Sequence, residues 1–299
     1  MTVTLPSPPS GVSAGPVAGD LAANLLNGQC AVVKGGQVVD SIPTCGWIGW
    51  IPGSDWIVFS RTSEPSIQGS SVQGYVAEEV GGGSRTDLPC AGASPAFVEP
   101  LPGPAVAYGC GTDLDVLSLG GAAQPRVYKW VRFAQDQMGP LLFSVDPTQS
   151  LVAITHADGT VNAYKLADGT PLPGTYQAGS PAGMAWSTNG ILAIASSQGV
   201  TVWQPGVAVH TAAAAAYADI LRWLPDNSGV VAISSFRPAV LPPGFVIRPD
   251  GSARQIVTPQ TSHLLYGWTA DGTRYWAGPA GVHAGPDTLT AEAWASPQN

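Results

Sequence analysis

Six times along the chain an apolar, strand-like run stops near a bulky residue, passes a short turn rich in Pro, Gly, Asp and Asn, and re-enters an apolar run. The copies occupy residues 48–60, 96–108, 142–155, 184–196, 221–235 and 265–278. Taking the last apolar residue before each turn as an anchor selects Trp50, Val98, Val145, Trp186, Trp223 and Trp268, spaced by 48, 47, 41, 37 and 45 residues. Apolar runs joined by tight polar turns predict antiparallel hairpins. A near-constant repeat in this range predicts one small sheet per unit, stacked radially on its neighbours.

The length decides between ring sizes. At a mean spacing of about 44 residues, seven units need roughly 305 residues and six roughly 262. The chain has 299. A seventh unit must then precede Trp50, and residues 27–42 match the outer hairpin at residues 158–172 nearly element for element. The expected fold is all-β, a single propeller of seven blades closed by strands from both termini, with Thr288 to Trp294 completing the N-terminal blade. A six-bladed ring, whose last blade the N-terminal hairpin completes, is the alternative. The expected division is a Pro/Gly-rich arm over residues 1–19 and the propeller over 20–299.

Two units carry a family resemblance. Gly53 to Arg61 with Gly74 to Pro89, a strand, a glycine turn and a strand, resembles the repeats of TolB-like propellers. The unit from Val145-Asp-Pro through His156-Ala-Asp-Gly-Thr to Asp168-Gly-Thr-Pro-Leu172 resembles a WD40 repeat, without the Gly-His pair or the Trp-Asp dipeptide. The resemblance covers residues 25 to 295 and implies an architecture, not a function, since propellers serve enzymes, receptors and scaffolds alike.

Composition adds to this picture. The chain is 44% hydrophobic, with 37 Gly and 28 Pro to supply turns, and only 11% charged. So poorly charged a surface suits packing within an assembly, although a lineage rich in Ala, Gly and Pro would give the same numbers. A net charge of −8 argues against a nucleic-acid partner. The N-terminus has no basic start and is interrupted by prolines, so it does not read as a signal peptide, and residues 207–224 are too polar to span a bilayer. The arm 1–19 is expected to be pinned by a partner chain.

The candidate interface has two parts. Arg126, Tyr128, Lys129, Trp130 and Arg132 interleave cations and aromatics, a composition found in interface anchors and also in an outer strand that covers a loop. Residues 236–245 and 62–73 outgrow the repeat, and Phe236, Leu241 and Phe245 make the former a stiff apolar projection. Hairpin geometry brings Cys90 near Cys110 and Cys30 near Cys45, so two disulfides are expected, with four buried thiols as the alternative.

Catalytic chemistry is sparse. His156, His210, His263 and His283 are scattered, no Gly-x-Ser-x-Gly occurs, and no cysteine pair has zinc-ligand spacing. Asp113 and Asp115 could ligate calcium but more often open a solvated strand, and Glu78 and Glu79 should point to opposite faces of theirs. No cofactor or metal is expected. The expected function is a non-catalytic interaction or adhesion module in a phage tail or other virion or extracellular particle, binding other chains of that assembly and a host-surface protein or glycan. The alternatives are a propeller glycan hydrolase or lyase, and a cytosolic WD40-like scaffold.

Overall fold

The computed structural model describes residues 21–24, 30–34, 37–51, 53–63, 72–91, 95–121, 125–129, 142–215, 218, 220–224, 226–233, 244–256, 265–268, 274–278 and 281–284. They form seven antiparallel sheets with strands in chain order. The first sheet is β1 (Leu21–Asn24), β2 (Cys30–Lys34) and β3 (Gln37–Ile42). The second is β4 (Cys45–Trp50), β5 (Trp56–Thr62), β6 (Val72–Glu79) and β7 (Arg85–Asp87). The third is β8 (Ala96–Leu101), β9 (Ala105–Cys110), β10 (Asp113–Ser118) and β11 (Arg126–Lys129). The fourth is β12 (Leu142–Val145), β13 (Leu151–Thr155), β14 (Thr160–Lys165) and β15 (Tyr176–Gln177). The fifth is β16 (Pro181–Trp186), β17 (Leu192–Ser196), β18 (Gly199–Gln204) and β19 (Ala208–Ala212). The sixth is β20 (Ile220–Trp223), β21 (Val230–Ile233), β22 (Gly244–Ile247) and β23 (Ala253–Ile256). The seventh is β24 (Leu265–Trp268), β25 (Arg274–Gly278) and β26 (Gly281–Ala284).

First strands neighbour first strands: β8 lies beside β12, β12 beside β16, β16 beside β20, and β1 beside both β4 and β24. Sheets that touch through their first strands and fan outward make a β-propeller. The core is correspondingly divided among the seams. One apolar cluster fills each seam from the first-to-second sheet through to the fifth-to-sixth. On β17, Leu192 and Ile194 face the fourth sheet while Ala193 and Ala195 face the sixth. Both faces of the second to fifth sheets are therefore buried, and their strands read as continuous apolar runs rather than as an alternation.

Tryptophans at two of the anchors stitch two seams. Trp186 Nε1 donates to the carbonyl of Ser144 at 3.0 Å, and Trp223 Nε1 to that of Ala185 at 2.9 Å. Each acceptor is the residue before the anchor of the preceding sheet. The fourth sheet has Val145 there, and its seam is held by Glu99, whose carboxylate accepts from Ser144 Oγ and the Val145 amide, both at 2.7 Å. In the third sheet the last paired residue before the turn is Leu101, opposite Ala105, three positions past the expected anchor Val98.

The first sheet differs in parity. Cys30, opposite the end of β1 at Asn24, is bonded to Cys45 at the start of β4, so β1 runs opposite to β4. The first and seventh sheets have three described strands each and are separate sheets. The closing segment 288–294 and the arm 1–19 lie outside the described residues.

Candidate interaction face

Strand alternation gives the second to sixth sheets two ends. Turns from first to second and third to fourth strands fall at one end, here the turn face. Turns from second to third strands, and the links to the next sheet, fall at the other, here the connection face. Connections of eight or more residues (63–71, 88–95, 130–141, 234–243, 257–264) leave the connection face. Only 166–175 does so from the turn face, and it is folded back by the Tyr164–Pro171 bridge.

The turn face is tied together by its own side chains. In the 146–150 turn, the buried Asp146 carboxylate accepts from the amides of Thr148, Ser150 and Leu151. Gln149 Nε2 reaches the Pro102 carbonyl in the third sheet's turn at 2.8 Å, and Gln149 Oε1 accepts from Arg126 at 2.5 Å. Asn227 accepts from the Thr188 amide at 3.1 Å and donates to its hydroxyl at 2.7 Å, clasping sixth turn to fifth. Gln149 and Asn227 both sit four residues after their anchors, with φ of 57° and 58°, where the fifth sheet has Gly190 at 73°.

The connection face carries both disulfides, Cys30–Cys45 and Cys90–Cys110, with Cα separations of 5.7 and 5.5 Å, as hairpin proximity predicts. Three first strands bulge where they leave this face, at Cys45/Trp47, Ala96/Glu99 and Pro181/Gly183. Bulges re-aim side chains and gather at rims and functional sites. The bulge in β8 puts Phe97 at φ 52°, the residue 48% exposed and its ring edge-on to Phe143 at 6.3 Å between centroids. A bulky residue in the left-handed region is uncommon and marks a position that its surroundings over-determine; here Glu99 fixes the far side of the bulge. Nearby, His156 Nε2 lies 3.1 Å from Asn162 Nδ2 and 3.3 Å from the Tyr164 hydroxyl.

The expected interface residues divide among several settings. Arg126 is in the turn-face clasp, Lys129 pairs with Asp113 at 2.7 Å near the connection face, and Tyr128 packs on the core between third and fourth sheets. Phe245 packs on the core between fifth and sixth sheets. Trp130, Arg132, Phe236 and Leu241 lie outside the described residues. Bulges and the exposed Phe97 have no sequence signal beyond the out-of-register Glu-Pro pair that follows.

Two acidic features remain. Asp40, Asp55, Glu78 and Glu79 line a cleft of ≈ 390 Å³ between the first two sheets, with Val39, Val80, Gly81 and Gly82. Glu78 and Glu79 both border it, although they are neighbours on one strand and alternation predicts opposite faces. Burial, then contact and a hydrogen bond with Asp40, raises Glu78 above the ordinary carboxyl range against the opposing pull of Arg85. Asp115 is buried between the second and third sheets, with Oδ1 unpaired, and burial followed by the neighbouring Asp113 pushes it up to about 6. Among the described residues no group of three or more His, Cys, Asp or Glu is placed to hold a metal, and no helix is long and apolar enough to cross a membrane.

No family model and no curated protein matches this chain. Among solved structures it is similar to Hsv2 of Kluyveromyces lactis, a yeast WD40/β-propeller protein, at 12% identity and a TM-score of 0.52, over 85% of each chain. At that identity the likeness shows the propeller fold alone.

Proposed function

We propose that this propeller is a non-catalytic interaction module that engages a partner protein through its connection face, inside an oxidising extracellular assembly such as a phage tail or other virion appendage. The observation that carries the reading is the segregation of both disulfides, the bulged first strands and the exposed Phe97 to one face, while the opposite face is closed on itself by clasps. Disulfides persist outside reducing compartments, which disfavours the cytosolic WD40-like scaffold. A surface with 11% charged residues suits a component packed among other chains.

The acidic cleft favours the glycan hydrolase or lyase as second reading. Against it, Asp40 and Glu78 are in direct hydrogen-bond contact, whereas glycosidase carboxyl pairs stand about 5 to 9 Å apart. The deciding experiment is gel filtration of the source material followed by intact mass with and without reductant. Co-elution with a large particle and a gain of four mass units on reduction is the expected result. A lone monomer with four free thiols sinks the proposal, and turnover of surface glycans that Glu78→Gln abolishes moves the weight to the enzyme.

A further inference from the structure

The outer edges of the sheets are not alike. Natural sheets blunt a free edge with charge, proline, bulges or shortness, because unpaired backbone groups otherwise recruit another strand. Of the described fourth strands, β7 carries Arg85 and Asp87, β11 carries Arg126 and Lys129, β23 carries Arg254, and β15 is two residues long. β19, Ala208-Val-His-Thr-Ala212, has none of these devices. It is five residues long, carries no Lys, Arg, Asp or Glu, and pairs with β18 from Gln204↔Ala208 to Val200↔Ala212 without a register shift. Val209 on it is 48% exposed and Val207, just before it, 73%. The strand is held straight from behind: Thr211 Oγ1 meets Thr201 Oγ1 at 2.9 Å, and the sixth sheet's turn sits so close to His210 that a Cβ on Gly251 would lie 2.7 Å from its Cβ.

We infer that β19 is a docking edge for the β19 strand of a second copy of this chain, the two running antiparallel about His210 to join two four-stranded sheets into one of eight. The sequence commits to this occupant because it is nearly palindromic in shape. Pairing about residue 210 sets Ala208 opposite Ala212, Val209 opposite its near-isostere Thr211, and the exposed Val207 opposite the exposed Ala213. Apart from His210, which meets its own copy at the two-fold axis, no charged or aromatic side chain opposes another, and each copy presents the same patch, as a two-fold interface requires. Strand pairing of this length buries little area, so the dimer is a weak one of micromolar affinity, strengthened where copies are held together. The inference concerns contact between copies and stands apart from the connection-face reading.

Sedimentation velocity of the full chain over a concentration series tests it. The expected result is a monomer–dimer equilibrium that Val209→Lys weakens by at least about tenfold, and that the same change on another outer strand, Val127→Lys, leaves as it was. Val207→Lys, at a more exposed position, serves if Val209→Lys folds poorly. The register is read with His210→Cys: all four native cysteines are bonded, so the new thiols should link two copies on mild oxidation, and Val127→Cys should not. A monomer throughout the series, a dimer indifferent to Val209→Lys, or a dimer that His210→Cys does not link overturns the inference.

Discussion

The two ends of the ring solve the same problem, holding strand ends in place, by different means. On the turn face the fourth and sixth turns are each closed by one side chain on their own backbone and clasped to the preceding sheet's turn by another, Asp146 and Gln149 in the fourth sheet and Asp226 and Asn227 in the sixth. On the connection face two of the described restraints are covalent: one disulfide ties the first sheet to the start of the second, and one ties the link before β8 to the end of β9. Short turns are held by hydrogen bonds to their own amides, whereas longer connections keep more conformational freedom, which a cross-link removes. An end so built can change its connections without disturbing the seams, two of which are stitched by tryptophans nearer the turn face.

That contrast predicts where the molecule is fragile. Replacing Cys90 and Cys110 together by Ala should lower stability in chemical denaturation by about 3 kcal/mol, with a similar loss for Cys30 and Cys45, because loops of 15 to 20 residues regain their freedom in the unfolded chain. Near-zero loss for both pairs would show that the connection face is held by packing and would erase the difference between the ends.

The seam stitches come next. Trp223→Phe keeps most of the ring but leaves the buried Ala185 carbonyl without its donor, and should cost about 1 to 3 kcal/mol. Trp50→Phe should cost less, since Trp50 Nε1 bonds within its own turn, to the Ser54 carbonyl at 2.7 Å. Thermal unfolding of the two variants side by side measures the value of stitching between sheets against bracing within one.

Much of this was legible in the sequence, and the reason is local. Asp158, Asp168, Asp226 and Asp250 each accept an amide two residues on, at 2.8 to 2.9 Å, so the Asp-Gly and Asp-Asn turns announce themselves. The cysteine pairs were legible because each brackets a single hairpin. Glu99 was not, since its partners are 45 and 46 residues away and nothing nearby marks it as a substitute for a tryptophan. Nor was the grouping of disulfides, bulges and Phe97 on one end, because it depends on counting strands through every sheet, and a bulge of one residue leaves the apolar pattern unchanged.

Asp115 lies in the seam that joins the two regions, strand-paired with Tyr108, whose hydroxyl donates to the Pro89 carbonyl beside Cys90. Its carboxyl titrates near 6 in the fold and near 3.9 in an unfolded chain. The folded state thus binds the proton more tightly, and this group favours folding below pH 4. That contribution falls as pH rises from 4 to 6 and levels off above it, leaving a penalty of about 3 kcal/mol. Asp115→Asn should therefore stabilise the protein at pH 7.5, change little at pH 4, and flatten the profile between. An unchanged slope would mean that Asp115 is solvated in the fold.

The smallest effect is the most discriminating for the turn face, because two terms oppose each other there. Gln149 holds φ 57° and makes the clasp to Pro102. Gln149→Gly relieves about 1 kcal/mol of left-handed strain and gives up hydrogen bonds worth about 1 kcal/mol at a half-buried site. The two should nearly cancel, leaving the unfolding midpoint within a degree or two. Gln149→Ala keeps the strain and loses the clasp, so it should destabilise by about 1 kcal/mol relative to wild type. If the Ala variant matches wild type and the Gly variant exceeds it, the clasp contributes nothing and the left-handed residue is only tolerated. If both fall well below wild type, the clasp holds the third and fourth sheets together and the turn face is the more firmly built end.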